Sequence, residues 1–224
     1  MKILNSFISK TALTIVFLVI IYINYLTVSQ SKNVLFMDDW GTPGELFYSY
    51  FNGGIDTSDF LSQHNESRLV LTKIYSIMLV KLDLYSTKIA VYMRIILSFL
   101  CCALIYKISR FEIKKYSLSY FCLILLLMFI PTQSYNMLFG MTFIGFIVPI
   151  SILLSVVVLF SSKSSFLKLC LITILSLVST FTYANGMILW VLCNPFIFNK
   201  FSDLKYRLNQ KYSYAFTIIG TLTI

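Results

Sequence analysis

Apolar runs recur along the whole of this 224-residue chain, and almost every charge falls between them. Six stretches, roughly 11–28, 88–106, 116–131, 137–160, 168–183 and 187–198, are long enough to cross or nearly cross a bilayer core of about 30 Å, which takes about 20 helical residues. A seventh opens near Tyr214 and is still running at Ile224, which reads as an incomplete C-terminus, the end of a truncated product. Backbone placed in hydrocarbon has to satisfy its own hydrogen bonds, so runs of this length can only be helices. Composition agrees: 58% of residues are hydrophobic and 12% charged, against about 25% charged in a soluble domain. The sequence therefore predicts an all-α, polytopic helical membrane protein. It has six to seven transmembrane helices in a single transmembrane domain, 1–224. The first run lacks a small-residue cleavage site and continues into Ser29-Gln30-Ser31-Lys32, so it reads as a retained span. The five cysteines all lie in apolar runs with no Cys-x-x-Cys pair, as small buried residues do.

The charges give the chain a direction. Twelve of the eighteen basic residues lie in the N-terminus and in segments 107–115, 161–168 and 199–212, which are alternate connections. The positive-inside bias puts these in the cytoplasm. Anionic headgroups then account for the net charge of +9, and nucleic acid is not an expected partner. The long connection 29–88 falls outside, and it holds Asp38, Asp39, Glu45, Asp56, Asp59, Glu66 and Asp83, seven of the nine acids. The other outer connections are short: 131–136, with Gln133 and Tyr135, and the turn Tyr183-Ala184-Asn185-Gly186.

The outer loop carries the chemistry. Asp38-Asp39-Trp40 follows the first span, and Thr42-Pro43-Gly44-Glu45 then predicts a helix start, with Thr42 as cap and Glu45 reaching back to it. That helix should run to Tyr50 or Phe51 and end at Asn52-Gly53-Gly54. A helix N-terminus offers free N–H donors to a phosphate, and it equally attracts plain loop acids. Trp40 reads as an interfacial anchor or as a site residue. Further on, His64-Asn65-Glu66-Ser67-Arg68 sets a proton-exchanging imidazole, a carboxylate and a guanidinium within five residues. A solvated turn is the alternative reading. Leu69–Leu84 then aligns Leu71, Ile74, Tyr75, Met78 and Leu82 on one stripe, with Lys73, Ser76 and Lys81 elsewhere, as a helix on a membrane surface would. Arg94 lies less than two turns into the second span, where a side chain snorkels to the headgroups or grips a lipid phosphate.

The ordering of these features resembles the GT-C class of membrane glycosyltransferases: a cytoplasmic N-terminus, one span, an outer loop opening on Met37-Asp38-Asp39-Trp40, surface helices, then a run of spans. It is similar, more narrowly, to bacterial proteins of cell-envelope polysaccharide loci. In that group an acidic-Trp pair is followed by an Asn-Glu-His-Arg-like signature, here His64 to Arg68 with Ser67 in place of the more usual His. Phe181 to Trp190 is similar to the group's small-Ala-Asn-Gly-aromatic turn. The resemblance implies a multi-pass protein of the bacterial cytoplasmic (inner) membrane. It would move a sugar from a polyprenyl-phosphate donor to a cell-envelope glycan acceptor on the outer face. Asp39 or Asp38 would be the catalytic base; neighbours on an extended segment face opposite ways, so one of the two faces the site, and Asp39 is favoured. The resemblance fixes no cofactor and leaves open a divalent cation (Mg or Mn), which Asp38 or Asp39 would help position. Trp40, His64, Asn65, Glu66, Arg68, Arg94, Gln133, Tyr135 and Asn185 would bind substrate, with lipid bilayer, polyprenyl-phosphate-linked sugar and glycan acceptor as partners.

Three other readings compete. A lipid-linked glycan flippase or permease needs polar groups at mid-bilayer, and the middle of spans three to five is almost wholly apolar. An O-antigen-type polymerase works on the same face with lipid-pyrophosphate oligosaccharides. A non-catalytic partner in envelope synthesis would not need the loop acids at all.

Overall fold

The computed structural model describes residues 2–35, 40–63, 67, 69–112, 117–130, 142–161, 164–197 and 210–223. Its regular elements are helices. In chain order they are α1 (Lys2–Gln30), α2 (Glu45–Asn52), α3 (Thr57–Leu61), α4 (Val70–Lys81), α5 (Thr87–Glu112), α6 (Ser117–Met128), α7 (Thr142–Gly145), α8 (Ile147–Leu159), α9 (Ser165–Thr180), α10 (Ile188–Ile197) and α11 (Gln210–Thr223). A wide turn, Trp40–Gly44, leads into α2, and a 3₁₀ turn, Ala184–Met187, leads into α10.

A helix stands in each apolar run that the sequence singles out. Two segments, Lys10–Gln30 in α1 and Thr87–Arg110 in α5, are long and apolar enough to span a bilayer. Leu118–Met128, Ile147–Leu159, Phe166–Thr180 and Ala184–Cys193 are apolar helices of 10–17 residues. The run 137–160 differs from expectation, because its described part is cut at Phe146 between α7 and α8. Pro149 supplies a reason. In an unbroken helix its ring would clash with the carbonyl of Gly145, four residues earlier, whereas in the first turn of α8 it is tolerated.

The chain forms two compact units. The first is Met1–Phe36 with Ser86–Phe146. There α1, α5 and α6 enclose Ile20, Cys102, Leu125 and Phe129, and Phe99 stacks on Phe17 and Phe129 with ring centroids 6.2 and 4.7 Å away. The N-terminus of α5 is tied to the end of α1: the Thr87 N–H donates to Asn33 Oδ1 at 2.9 Å, and its hydroxyl donates to the Lys32 carbonyl at 2.7 Å. Arg94 is fully enclosed within this unit, as is Ser98, so the guanidinium does not snorkel to the surface. Asn24, on α1, is also buried.

The second unit is Met37–Tyr85 with Ile147–Ile224. Its core joins Leu159, Leu169, Ile172, Leu189, Trp190, Cys193 and Phe216 from α8, α9, α10 and α11. The Trp190 indole N–H donates to Thr180 Oγ1 at 2.9 Å, which satisfies the one polar atom of the largest core side chain. Ser151 and Ser155 on α8, and Ser176 and Ser179 on α9, are buried. Small residues such as these allow helix backbones to approach closely. Lys168 donates to the Leu159 carbonyl at 3.0 Å and so ties the first turn of α9 to the end of α8.

Candidate functional site

The second unit gathers three sequence motifs that are far apart in the chain. The first gathering point is a pocket of about 120 Å3. Gly41 and Thr42, directly after the Asp38-Asp39-Trp40 motif, form one side with Glu45, Leu46 and Ser49 of α2. Asp59 of α3, together with Ser62 and Gln63, forms another, and Gln63 is the residue before the His64–Arg68 motif. Lys73 of α4 completes the lining.

The second gathering point is the turn after α9. The Ser67 hydroxyl accepts the Ala184 N–H at 3.1 Å, and the Leu71 N–H donates to the Phe181 carbonyl at 3.2 Å. Ser67, the one described residue of the His64–Arg68 motif, is thereby hydrogen-bonded to the Tyr183–Gly186 turn. Asn185 is exposed on that turn, while Gly186 is buried. A side chain at Gly186 would overlap the backbone carbonyl of Ser179, so only glycine lets the turn fold back onto α9.

Local rules explain most of the scaffold, with one correction. Thr42 does not cap α2. It is extended (φ −141°, ψ 117°), the helix begins at Glu45, and no side chain caps it. Pro43 is the cause, since the residue before a proline is driven out of the helical region. Thr42 is instead buried against the pocket. The end of the helix is as expected: α2 stops at Asn52, and Gly54 takes φ +106°. The capping box that does form belongs to α3. Asp56 accepts from the Thr57 N–H at 2.6 Å, and Asp59 Oδ2 accepts from the Asp56 N–H at 2.9 Å. Two of the loop's acids are thus structural.

Lys73 organises the pocket floor. Its side chain is 3% exposed, and Nζ donates to the Asp59 carbonyl at 2.8 Å, the Ser62 carbonyl at 2.7 Å and the Ser62 hydroxyl at 2.6 Å. All three ammonium protons are used, and the cation sits at the C-terminal end of α3, where backbone carbonyls gather. Burial pulls its pKa below the usual 10.5, and the nearby charges of Asp59 and Glu45 pull the other way. Lys73 escaped the sequence reading because it lies off the apolar stripe, where a surface helix places its solvated charges.

In α4 polar residues share the buried face with Ile77 and Leu79. Thr72, Lys73 and Ser76 are buried, whereas Ile74 and Met78 are each 49% exposed and Leu82, just past the helix, is 57% exposed. Leu71 and Tyr75, the other members of the expected stripe, are half-buried. Three of the five stripe residues, Ile74, Met78 and Leu82, thus face outward.

Of the residues singled out for a site, Trp40 is 66% exposed at the mouth of the α2 turn, Asn185 is exposed on the motif-bound turn, and Arg94 is enclosed in the first unit. Asp38, Asp39, His64, Asn65, Glu66, Arg68, Gln133 and Tyr135 lie outside the described residues. The pocket residues Glu45, Ser49, Asp59, Ser62, Gln63 and Lys73 were not expected to share a site. Their only sequence signal is their position just after one motif and just before, or just beyond, the next. Among the described residues no group of His, Cys, Asp and Glu is placed to hold a metal ion. Comparison with known proteins finds no matching family model, no matching curated protein and no matching solved structure.

Proposed function

We propose that the chain is, or is part of, a membrane glycosyltransferase of the GT-C type. It transfers a sugar from a polyprenyl-phosphate donor to a cell-envelope glycan on the outer face of a bacterial cytoplasmic membrane. One observation carries this reading. The segment leaving Asp38-Asp39-Trp40 and the segment entering His64–Arg68 line one polar pocket, and the second motif is bonded through Ser67 to the Ala184-Asn185-Gly186 turn. Three motifs brought into one unit are more than solvated loop chemistry would need. Two helices able to span a bilayer supply the membrane context.

In this reading Asp39 removes the proton of the acceptor hydroxyl as that oxygen attacks the anomeric carbon, and the polyprenyl phosphate departs. Two adjacent carboxylates repel, which holds one pKa nearer the working pH. Positive groups are needed at the departing phosphate, and Arg68 is the proposed one. The test is Asp38→Asn and Asp39→Asn, singly and together, with envelope glycan analysed by mass spectrometry at matched expression. Loss of one sugar in Asp39→Asn is expected. Unaltered glycan in the double variant overturns the reading.

A lipid-linked glycan flippase is the second reading. It is favoured by Asn24, Arg94 and Ser98, three buried polar side chains inside spanning helices of the first unit. Movement of labelled lipid-linked sugar across vesicle membranes without any transfer would select it.

A further inference from the structure

The pocket between α2, α3 and α4 has the chemistry of a neutral sugar subsite and not of a phosphate site. Among its described lining residues the one cation, Lys73, is held on three protein acceptors and has no proton left to offer. Among the same residues two carboxylates, Glu45 and Asp59, stand against that single positive charge, which disfavours an anion. Asp59 Oδ2 is engaged in the α3 capping box. Among the described residues no hydrogen bond engages the side chains of Glu45, Ser49 or Gln63. These three are the groups left to meet a ligand: a carboxylate, a hydroxyl and an amide that both donates and accepts. The exposed indole of Trp40 directly precedes Gly41 in the lining. A polar pocket whose lining begins one residue after an exposed indole suits a pyranose ring, which has hydroxyls at its rim and C–H groups on its face. The enclosed volume of about 120 Å3 has room for several waters or for the hydroxyl-bearing edge of one ring.

We propose that this pocket binds one neutral hexopyranose unit of the glycan acceptor. Glu45 accepts from a vicinal diol, Ser49 and Gln63 pair with a neighbouring hydroxyl, and Trp40 covers the ring face. The assignment to the acceptor rests on the transferase reading, whereas the binding chemistry does not. The donor's phosphate is then held elsewhere in the protein.

The experiment uses the full chain in lipid nanodiscs and saturation-transfer NMR with methyl glycosides of glucose, galactose, mannose and N-acetylglucosamine. Saturation of ring protons in at least one glycoside is expected, reduced fivefold or more by Glu45→Gln and by Ser49→Leu, with inorganic phosphate failing to compete. Unchanged melting temperatures show that both variants fold, and if Ser49→Leu does not fold, Glu45→Gln at the exposed position carries the test. No saturation of any glycoside, saturation indifferent to Glu45→Gln, or competition by phosphate overturns the proposal. Binding that depends on Glu45, in a wild-type protein that transfers no sugar, upholds the pocket and removes the transferase reading. Transfer with an unchanged acceptor KM in Glu45→Gln does the reverse.

Discussion

The hydroxyl of Ser67 accepts the amide proton of Ala184 at 3.1 Å, across 117 positions of sequence. It joins Ser67, from the long connection between α1 and α5, to the turn after α9. Ser67 is buried and Ala184 half-buried, so the bond is partly shielded from solvent. Ser67→Ala leaves the Ala184 N–H without its acceptor and should destabilise the second unit by about 1–3 kcal/mol. Thermal unfolding in detergent, followed by protease cleavage in 53–63, reads this. Ser67→Thr, which keeps the hydroxyl, should restore most of the loss.

Gly186 and Gly53 make a matched pair of opposite expectation. A Cβ at Gly186 overlaps the Ser179 carbonyl, whereas one at Gly53 meets nothing within 4 Å. Gly53 is also in extended backbone that any residue adopts. Gly186→Ala should cost about 3 kcal/mol or more, and Gly53→Ala should stay within about 0.5 kcal/mol of wild type. Yield of folded protein and melting temperature decide between them.

Lys73 gives the second unit a pH dependence of fixed sign. Its folded pKa lies below 10.5 because of burial. Between that lowered value and 10.5 the unfolded chain binds more protons than the folded one, so stability rises with pH across this window. Below the window Lys73 is protonated in both states and contributes no slope. Tyr75 acts oppositely, since burial raises its pKa above 10.0 and stability falls as pH climbs past that value. In a Tyr75→Phe background, proteolysis of the outer loop should slow as pH rises toward 10.5, and Lys73→Met should abolish the trend. Lys73→Met itself should destabilise by about 2–3 kcal/mol, because the Asp59 and Ser62 carbonyls lose a charged donor.

The outward face of α4 should behave as a lipid-contacting surface. In a cysteine-free background, Met78→Cys and Ile74→Cys should be quenched by a bilayer-soluble nitroxide and react slowly with a water-borne maleimide. Lys81→Cys, exposed at the helix end, should react fast. Met78→Asp should release the helix to aqueous reagents without loss of the buried Lys73 bonds. Equal maleimide rates at 74, 78 and 81 would remove the membrane-surface reading of α4.

Much of the molecule was legible in the chain alone, for a physical reason. Helix positions followed from runs of apolar residues, because backbone removed from water has to satisfy its own hydrogen bonds. The end of α2 at Asn52-Gly53-Gly54 and the break at Tyr183–Gly186 followed from local backbone preference. What the chain did not disclose depends on which residues meet. Thr42 looked like a cap, and its proximity to Pro43 and its burial against α2 decided otherwise. Lys73 looked like a solvated charge, and only the return of α3 beside α4 turned it into the buried cation on Asp59 and Ser62. Ser67 looked like a departure from a motif, and the turn after α9 made it an anchor. Local composition determines where helices lie. Contacts across tens of residues decide which polar groups are buried together, and it is those groups that give this protein its candidate site.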